Sequence, residues 1–199
     1  MFIENIAKCF KYNKKKSLHK IYTKSKIPHL WLFTDDIKTQ NLQKFLAKIP
    51  QNSGIVIRNY LSEDRLKIIE SIRRNSKRKN LTLLIGEKSN RIRDISGLHL
   101  PKWYYQKRKI NKKQILWISA HGIIDKRRII NSKADLIFLS PIFRTSSHPN
   151  SRPLGTIKFG LIARQFSKPV IALGGINKNN IKKLKNLPIE GVAGIDFLK

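Results

Sequence analysis

Cysteine is nearly missing from this 199-residue chain, where Cys9 is the only one. A single cysteine closes no intrachain disulfide and founds no cysteine-rich zinc site, so a disulfide scaffold is excluded. Cys9 lies among Ile6 and Phe10 and reads as a small, half-buried hydrophobe. Carboxylates are scarce too, with 12 Asp+Glu against 42 Lys+Arg and a formal net charge of +30. No apolar run approaches the roughly 20 residues that a membrane-spanning helix needs. The opening MFIENIAKCFKYNKKK carries an apolar stretch too short and too interrupted for a secretory signal. A cytoplasmic protein with no membrane partner is the expectation.

What is present is enough apolar material, 40% of residues, for one domain with a substantial core. Short apolar runs recur at LWLFT (30–34), GIVIRN (54–59), LTLLIG (81–86) and GLHLP (97–101). They continue at ILWISA (115–120), DLIFLS (135–140), PVIALG (169–174) and VAGID (192–196). Continuous rather than alternating apolar character marks parallel strands covered on both faces. Eight such runs with helical stretches between them predict an α/β fold, a compact (β/α)8 TIM barrel. Ser62 before Glu63-Asp64 predicts a capped helix carrying Leu66, Ile69 and Ile72. Further helices are predicted over 157–166 and 177–187. Only Phe197-Leu198-Lys199 follow the eighth run, so the last helix is expected to be truncated. Residues 1–28 form a basic N-terminal extension ahead of the barrel, 29–199. In the extension, Phe2, Ile3, Ile6 and Phe10 line one helical face suited to the barrel's bottom.

The basic clusters fall late in the helical stretches: Arg73, Arg74, Lys77, Arg78, Lys79, then Lys107, Arg108, Lys109, Lys112, Lys113, then Lys182, Lys183 and Lys185. The acids mostly follow strands or open helices, among them Asp35, Asp36, Glu63, Asp64, Glu87, Asp125 and Asp196. A barrel basic below and more acidic above follows. Such a bottom face suits a nucleic-acid partner, but only Trp103-Tyr104-Tyr105 offers stacking aromatics, so a solvated surface is the preferred reading.

Gly174-Gly175 at the end of the seventh strand removes side chains where backbone N–H groups can meet an anion, and Thr145 and Ser147 supply hydroxyls after the sixth. The landmarks WISAH (117–121), ADLIFLSPIFRTSSHP (134–149), PLG (153–155), PVIALGGINKNNI (169–181) and GVAG (191–194) together resemble the thiamine-phosphate synthase/TenI family over roughly residues 30–198. The resemblance implies a transferase of thiamine biosynthesis, joining hydroxymethylpyrimidine diphosphate to thiazole phosphate. In the synthases pyrophosphate leaves, and the thiazole nitrogen traps the pyrimidine-stabilised cation. The resemblance places Thr145, Ser146, Ser147, Gly174, Gly175 and Ile195 at the thiazole phosphate, and Arg58, Ser119 and His148 at the chemistry. It implies Mg2+, for which Glu87 is the one candidate ligand.

The departures from the family pattern cluster. Where the family's second strand ends in glutamine, any residue, arginine, any residue, lysine, this chain has Val56, Ile57, Arg58, Asn59, Tyr60. Gly86-Glu87 replaces asparagine-aspartate, and no carboxylate follows the fourth strand near Pro101 and Lys102. His148 stands for a lysine, and Asp196 for the serine of the phosphate end. Two alternatives stay open beside the synthase: a TenI-like thiazole-phosphate binder or tautomerase relative, and a nucleic-acid-binding barrel. TenI's acid/base histidine falls on Pro141, which leaves His99 or His121 as substitutes. The sequence leaves a homo-oligomer open as well.

Overall fold

A computed structural model describes residues 6, 27–36, 41–60, 62–86, 95–100, 115–132 and 134–196. Eight parallel strands close on themselves in chain order. They are β1 (Leu30–Phe33), β2 (Gly54–Ile57), β3 (Thr82–Gly86), β4 (Gly97–Leu100), β5 (Ile115–Ala120), β6 (Leu136–Leu139), β7 (Val170–Leu173) and β8 (Gly191–Gly194). All eight predicted runs are strands, each within two residues of its expected ends. The reason is burial: one face of each strand looks into the barrel and the other under the helices, so nearly every position is apolar.

The inner layer holds Trp31, Phe33, Val56, Leu84, Trp117, Leu136, Phe138, Ile171 and Ala193. The Trp31 and Trp117 rings sit 4.0 Å apart, and Phe33 meets Phe138 edge-on at 5.0 Å. Gly54 pairs with Trp31 in register, and a Cβ there would overlap the indole. These aromatics plug the lower barrel, so space for a ligand is left at the strands' C-terminal ends.

The outer layer packs the other strand faces against α1 (Leu42–Lys48), α2 (Arg65–Lys79), α3 (Lys126–Ser132) and α4 (Gly155–Ala163). Asn41 caps α1, its side chain accepting from Lys44 N at 3.0 Å. Capping of α2 differs from expectation. Asp64, not Ser62, holds the cap position, and Ser62 contributes its backbone carbonyl to Arg65 N. The helix predicted over 177–187 shrinks to a 3-10 turn, Ile181–Leu184. Asparagine side chains explain this: Asn180 Oδ1 takes the N–H of Asn177, and Asn177 Oδ1 takes that of Asn179, both at 2.9 Å. Side-chain acceptors of this kind compete with helical carbonyls.

Lys79, in the basic end of α2, donates to the carbonyls of Leu46, Ala47 and Ile49, each at 2.8 Å. It closes the C-terminus of α1. Of the N-terminal extension, Ile6, Ile27 and Pro28 are described, and Ile6 is buried in the outer core, while Phe2, Ile3 and Phe10 lie outside the described residues. Cys9, the segments 87–94 and 101–114, and residues 197–199, where the truncated helix was expected, lie outside the described residues. No described helix is long and apolar enough to cross a membrane.

Candidate active site at the barrel mouth

The loops after β6, β7 and β8 build one side of the mouth mainly from backbone. After Leu139 the chain passes a cis Ser140–Pro141 bond and folds against the end of β7. There Ile142 N donates to Leu173 O and Phe143 N to Gly174 O, both at 3.0 Å. Gly174 and Gly175 have φ of 99° and 68°, in the left-handed region where a side chain strains the backbone. A Cβ on Gly174 would stand 2.8 Å from Pro141 Cβ, and one on Gly175 2.8 Å from Phe143 C while overlapping Arg144 O. The glycines are therefore required first by the β6 loop that packs on them.

That packing carries Thr145, Ser146, Ser147 and His148 over the bend. Ser151 N to His148 O (3.0 Å) and Leu154 N to Pro141 O (2.9 Å) return the loop towards α4. Asn180 Nδ2 donates to Gly175 O at 2.8 Å, which occupies a carbonyl that would repel an anion. Gly194, Ile195 and Asp196 complete this side, with Asp196 exposed at the rim.

The opposite side is made of side chains. Arg58 N donates to Thr34 Oγ1 (2.9 Å), and the Arg58 guanidinium lies 5.1 Å over the Phe33 ring. It stands 3.7 Å from Asp35 Oδ2. Burial lowers its pKa, opposed by the charges of Tyr60, Asp35 and Asp36. Thr34 donates to Asn59 Oδ1 (2.6 Å), and Asn59 donates to Asp36 (2.8 Å). On β4 and β5, His99 Nε2 and Ser119 Oγ are hydrogen-bonded at 2.8 Å. His99 is buried, edge-on to Phe33 and Phe138, and its Nδ1 has no hydrogen-bond partner among the described residues. Burial, and secondarily the Arg58 charge, push its pKa down to about 3. It is a neutral imidazole at ordinary pH.

Tyr60 explains the break in the pattern after β2. Its ring covers Gly86, where a Cβ would lie 2.8 Å from Tyr60 Cζ. Arg65 locks the arrangement, donating to Asn59 O at 3.2 Å and to Gly86 O, with its guanidinium 5.2 Å over the Tyr60 ring. Tyrosine at 60 and glycine at 86 are thus sterically linked, the ring filling the space that a side chain at 86 would need.

Both sides enclose one cavity of about 530 Å³. Arg58, Ser119, Thr145, Ser146, Ser147, His148, Gly174, Gly175 and Ile195 all line it, as do His99 and His121. Glu87 lies outside the described residues. Phe33, Arg144, Ser151 and Asn177 line the cavity as well, beyond the residues expected from the sequence. Arg144 and Ser151 carried a signal, since both fall inside or beside the loop motif. No group of three or more His, Cys, Asp or Glu that could hold a metal occurs among the described residues. Asp35 and Asp36 face Arg58 and Asn59 instead of forming a hard-oxygen cluster. The described residues therefore do not fit Mg2+.

The family model and the curated relatives point to one family. Residues 32–198 match the family described as thiamine monophosphate synthase. The thiamine-phosphate synthase of Clostridium tetani is 27% identical over 182 residues, covering 85% of this chain and 87% of that protein. That of Prochlorococcus marinus subsp. pastoris is 29% identical, covering 94% of this chain and 55% of the longer relative. Among solved structures, the thiamine phosphate pyrophosphorylase of Pyrococcus furiosus superposes with a TM-score of 0.72 at 19% identity. It covers 83% of this chain and 84% of that one, which speaks for the fold.

Proposed function

Since the chain belongs to the thiamine monophosphate synthase family, we propose that it is a thiamine-phosphate-synthase-type transferase working at the barrel mouth. The carrying observation is that one cavity joins the Thr145–His148 loop and the Gly174-Gly175 bend to the Arg58, His99 and Ser119 wall. In this reading the loop and the bend seat the phosphoryl group of a thiazole phosphate, through hydroxyls and backbone N–H groups. The pyrimidine diphosphate lies against the other wall. Arg58 and Arg144 supply positive charge where pyrophosphate departs, the moment at which fixed charge stabilises most. His99, held neutral, and Ser119 orient the ring system without adding a charge that would repel the pyrimidine cation. Family synthases use magnesium. No step here is routed through it, because the described residues offer it no carboxylate cluster.

A second reading is favoured by Tyr60 on Gly86. That ring narrows the diphosphate side and leaves the phosphate seat untouched, as suits a TenI-like binder of thiazole phosphate without synthase activity. A polyanion-binding bottom face has less support. Lys79 is spent on three carbonyls, while Arg73 and Arg74 pair with Glu70 at 2.8 and 3.2 Å.

The test is direct: incubate the protein with both substrates and magnesium, follow thiamine phosphate and pyrophosphate, and titrate thiazole phosphate alone by calorimetry. The transferase reading expects both products in equal amounts. Tight thiazole-phosphate binding without product moves the assignment to the binder, and neither binding nor product overturns both.

A further inference from the structure

Asp125 and Arg128 lie just beyond β5, outside the cavity's lining, yet both are largely buried, with side-chain exposures of 7% and 17%. Each reaches back to the β5 terminus. Asp125 Oδ2 accepts from His121 N at 2.7 Å. Arg128 binds Asp125 Oδ1 through Nε (3.3 Å) and one terminal nitrogen (3.2 Å), and that nitrogen also donates to Ser119 O. The other terminal nitrogen is buried with no hydrogen-bond partner among the described residues. A lysine would avoid that unpaired nitrogen and still neutralise Asp125. It could not reach two acceptors at fixed angles, which is what a planar guanidinium does. The geometry sought here is a bridge to the Ser119 carbonyl.

We propose that the Asp125–Arg128 pair is a positioning clamp, fixing the backbone on both sides of Ala120 so that Ser119 and His121 keep their places at the cavity. The clamp grips the carbonyl before Ala120 and the N–H after it, and so sets two directions at once. Ser119 Oγ meets His99 Nε2, and His121 Nδ1 stands 3.4 Å from Ser140 Oγ, at the start of the β6 loop. Sequence alone gives no hint of this, because Arg128 sits in a KRR run that reads as surface charge. Its effect on turnover rests on the transferase reading above, whereas its effect on the histidine rings does not.

Three variants test it: Arg128→Lys, Arg128→Met and Asp125→Asn. For Arg128→Lys the clamp predicts a melting temperature close to that of the parent and moved NMR signals for the His99 and His121 rings. It also predicts a kcat lowered roughly ten-fold or more, with KM for thiazole phosphate within about two-fold, because the phosphate loop is untouched. Arg128→Met and Asp125→Asn should move the same ring signals, and if either fails to fold the lysine variant carries the test. Unmoved ring signals with parental kcat in a folded Arg128→Lys overturn the clamp. Should the parent protein show no turnover, the transferase reading falls while the ring signals still decide on the clamp.

Discussion

The two sides of the barrel mouth are built from different materials. Around β6–β8 the site is backbone: two left-handed glycines, a loop hydrogen-bonded onto them, and short hydroxyls presented by that loop. Around β2–β5 it is side chains: Arg58 on Phe33, Tyr60 on Gly86, His99 on Ser119. A backbone site has no substitute for its special φ values, so it leaves a fixed spelling in the sequence. A side-chain wall can be rebuilt in pairs, one residue growing where its neighbour shrinks. The family resemblance is accordingly dense in the second half of the chain and broken in the first.

The sharpest way to break this contrast is Gly175→Ala. Its φ of 68° and the overlap with Arg144 O leave no room for the methyl. Denaturant unfolding should show a loss of about 2–4 kcal/mol, and calorimetry a drop in thiazole-phosphate affinity of roughly ten-fold or more. Gly122→Ala is the control: a Cβ there has nothing within 4 Å, and little should change.

On the side-chain wall, Gly86→Asn should cost about 2–3 kcal/mol by driving Tyr60 from its seat. Adding Tyr60→Lys should recover part of the loss, a coupling of about 0.5–3 kcal/mol in a double-mutant cycle. Strict additivity would mean that the two departures are unrelated.

His99 gives a pH-dependent effect, smaller over any single pH unit. Its folded pKa of about 3 lies below the 6.5 of an unperturbed histidine, so the unfolded chain takes up the proton first as pH falls. Stability is then full above about pH 6.5 and declines towards pH 3, by at most about 1.4 kcal/mol per pH unit from this group. His99→Asn should flatten that window in unfolding curves measured across it. Smallest is Lys79→Met, away from the mouth, expected to cost about 1 kcal/mol from the three carbonyls it caps. No loss there would return Lys79 to the solvated surface.

Legibility followed the same division. All eight strands could be read because strands buried on both faces are apolar throughout, and the meeting of the 145–148 loop with the Gly174-Gly175 bend because glycine and hydroxyl spacing is specific. The helix over 177–187 misled, since its apolar spacing says nothing about Asn177 and Asn180 capturing backbone N–H groups. Tyr60 and Gly86 could not be paired from spacing alone. The β2–β3 register, Ile57 beside Ile85, sets Arg58 level with Gly86, and it is the chain beyond β2, tied by Arg65 to Gly86 O, that lays the Tyr60 ring there. Arg128, one cation among many, is distinguished only by what it grips.

A crystal structure with thiazole phosphate decides whether the phosphate seat exists. Phosphorus is expected between the Thr145–Ser147 loop and the Gly174-Gly175 bend, with that density lost in Gly175→Ala. A phosphate bound elsewhere, or bound there undiminished in the alanine variant, would contradict it.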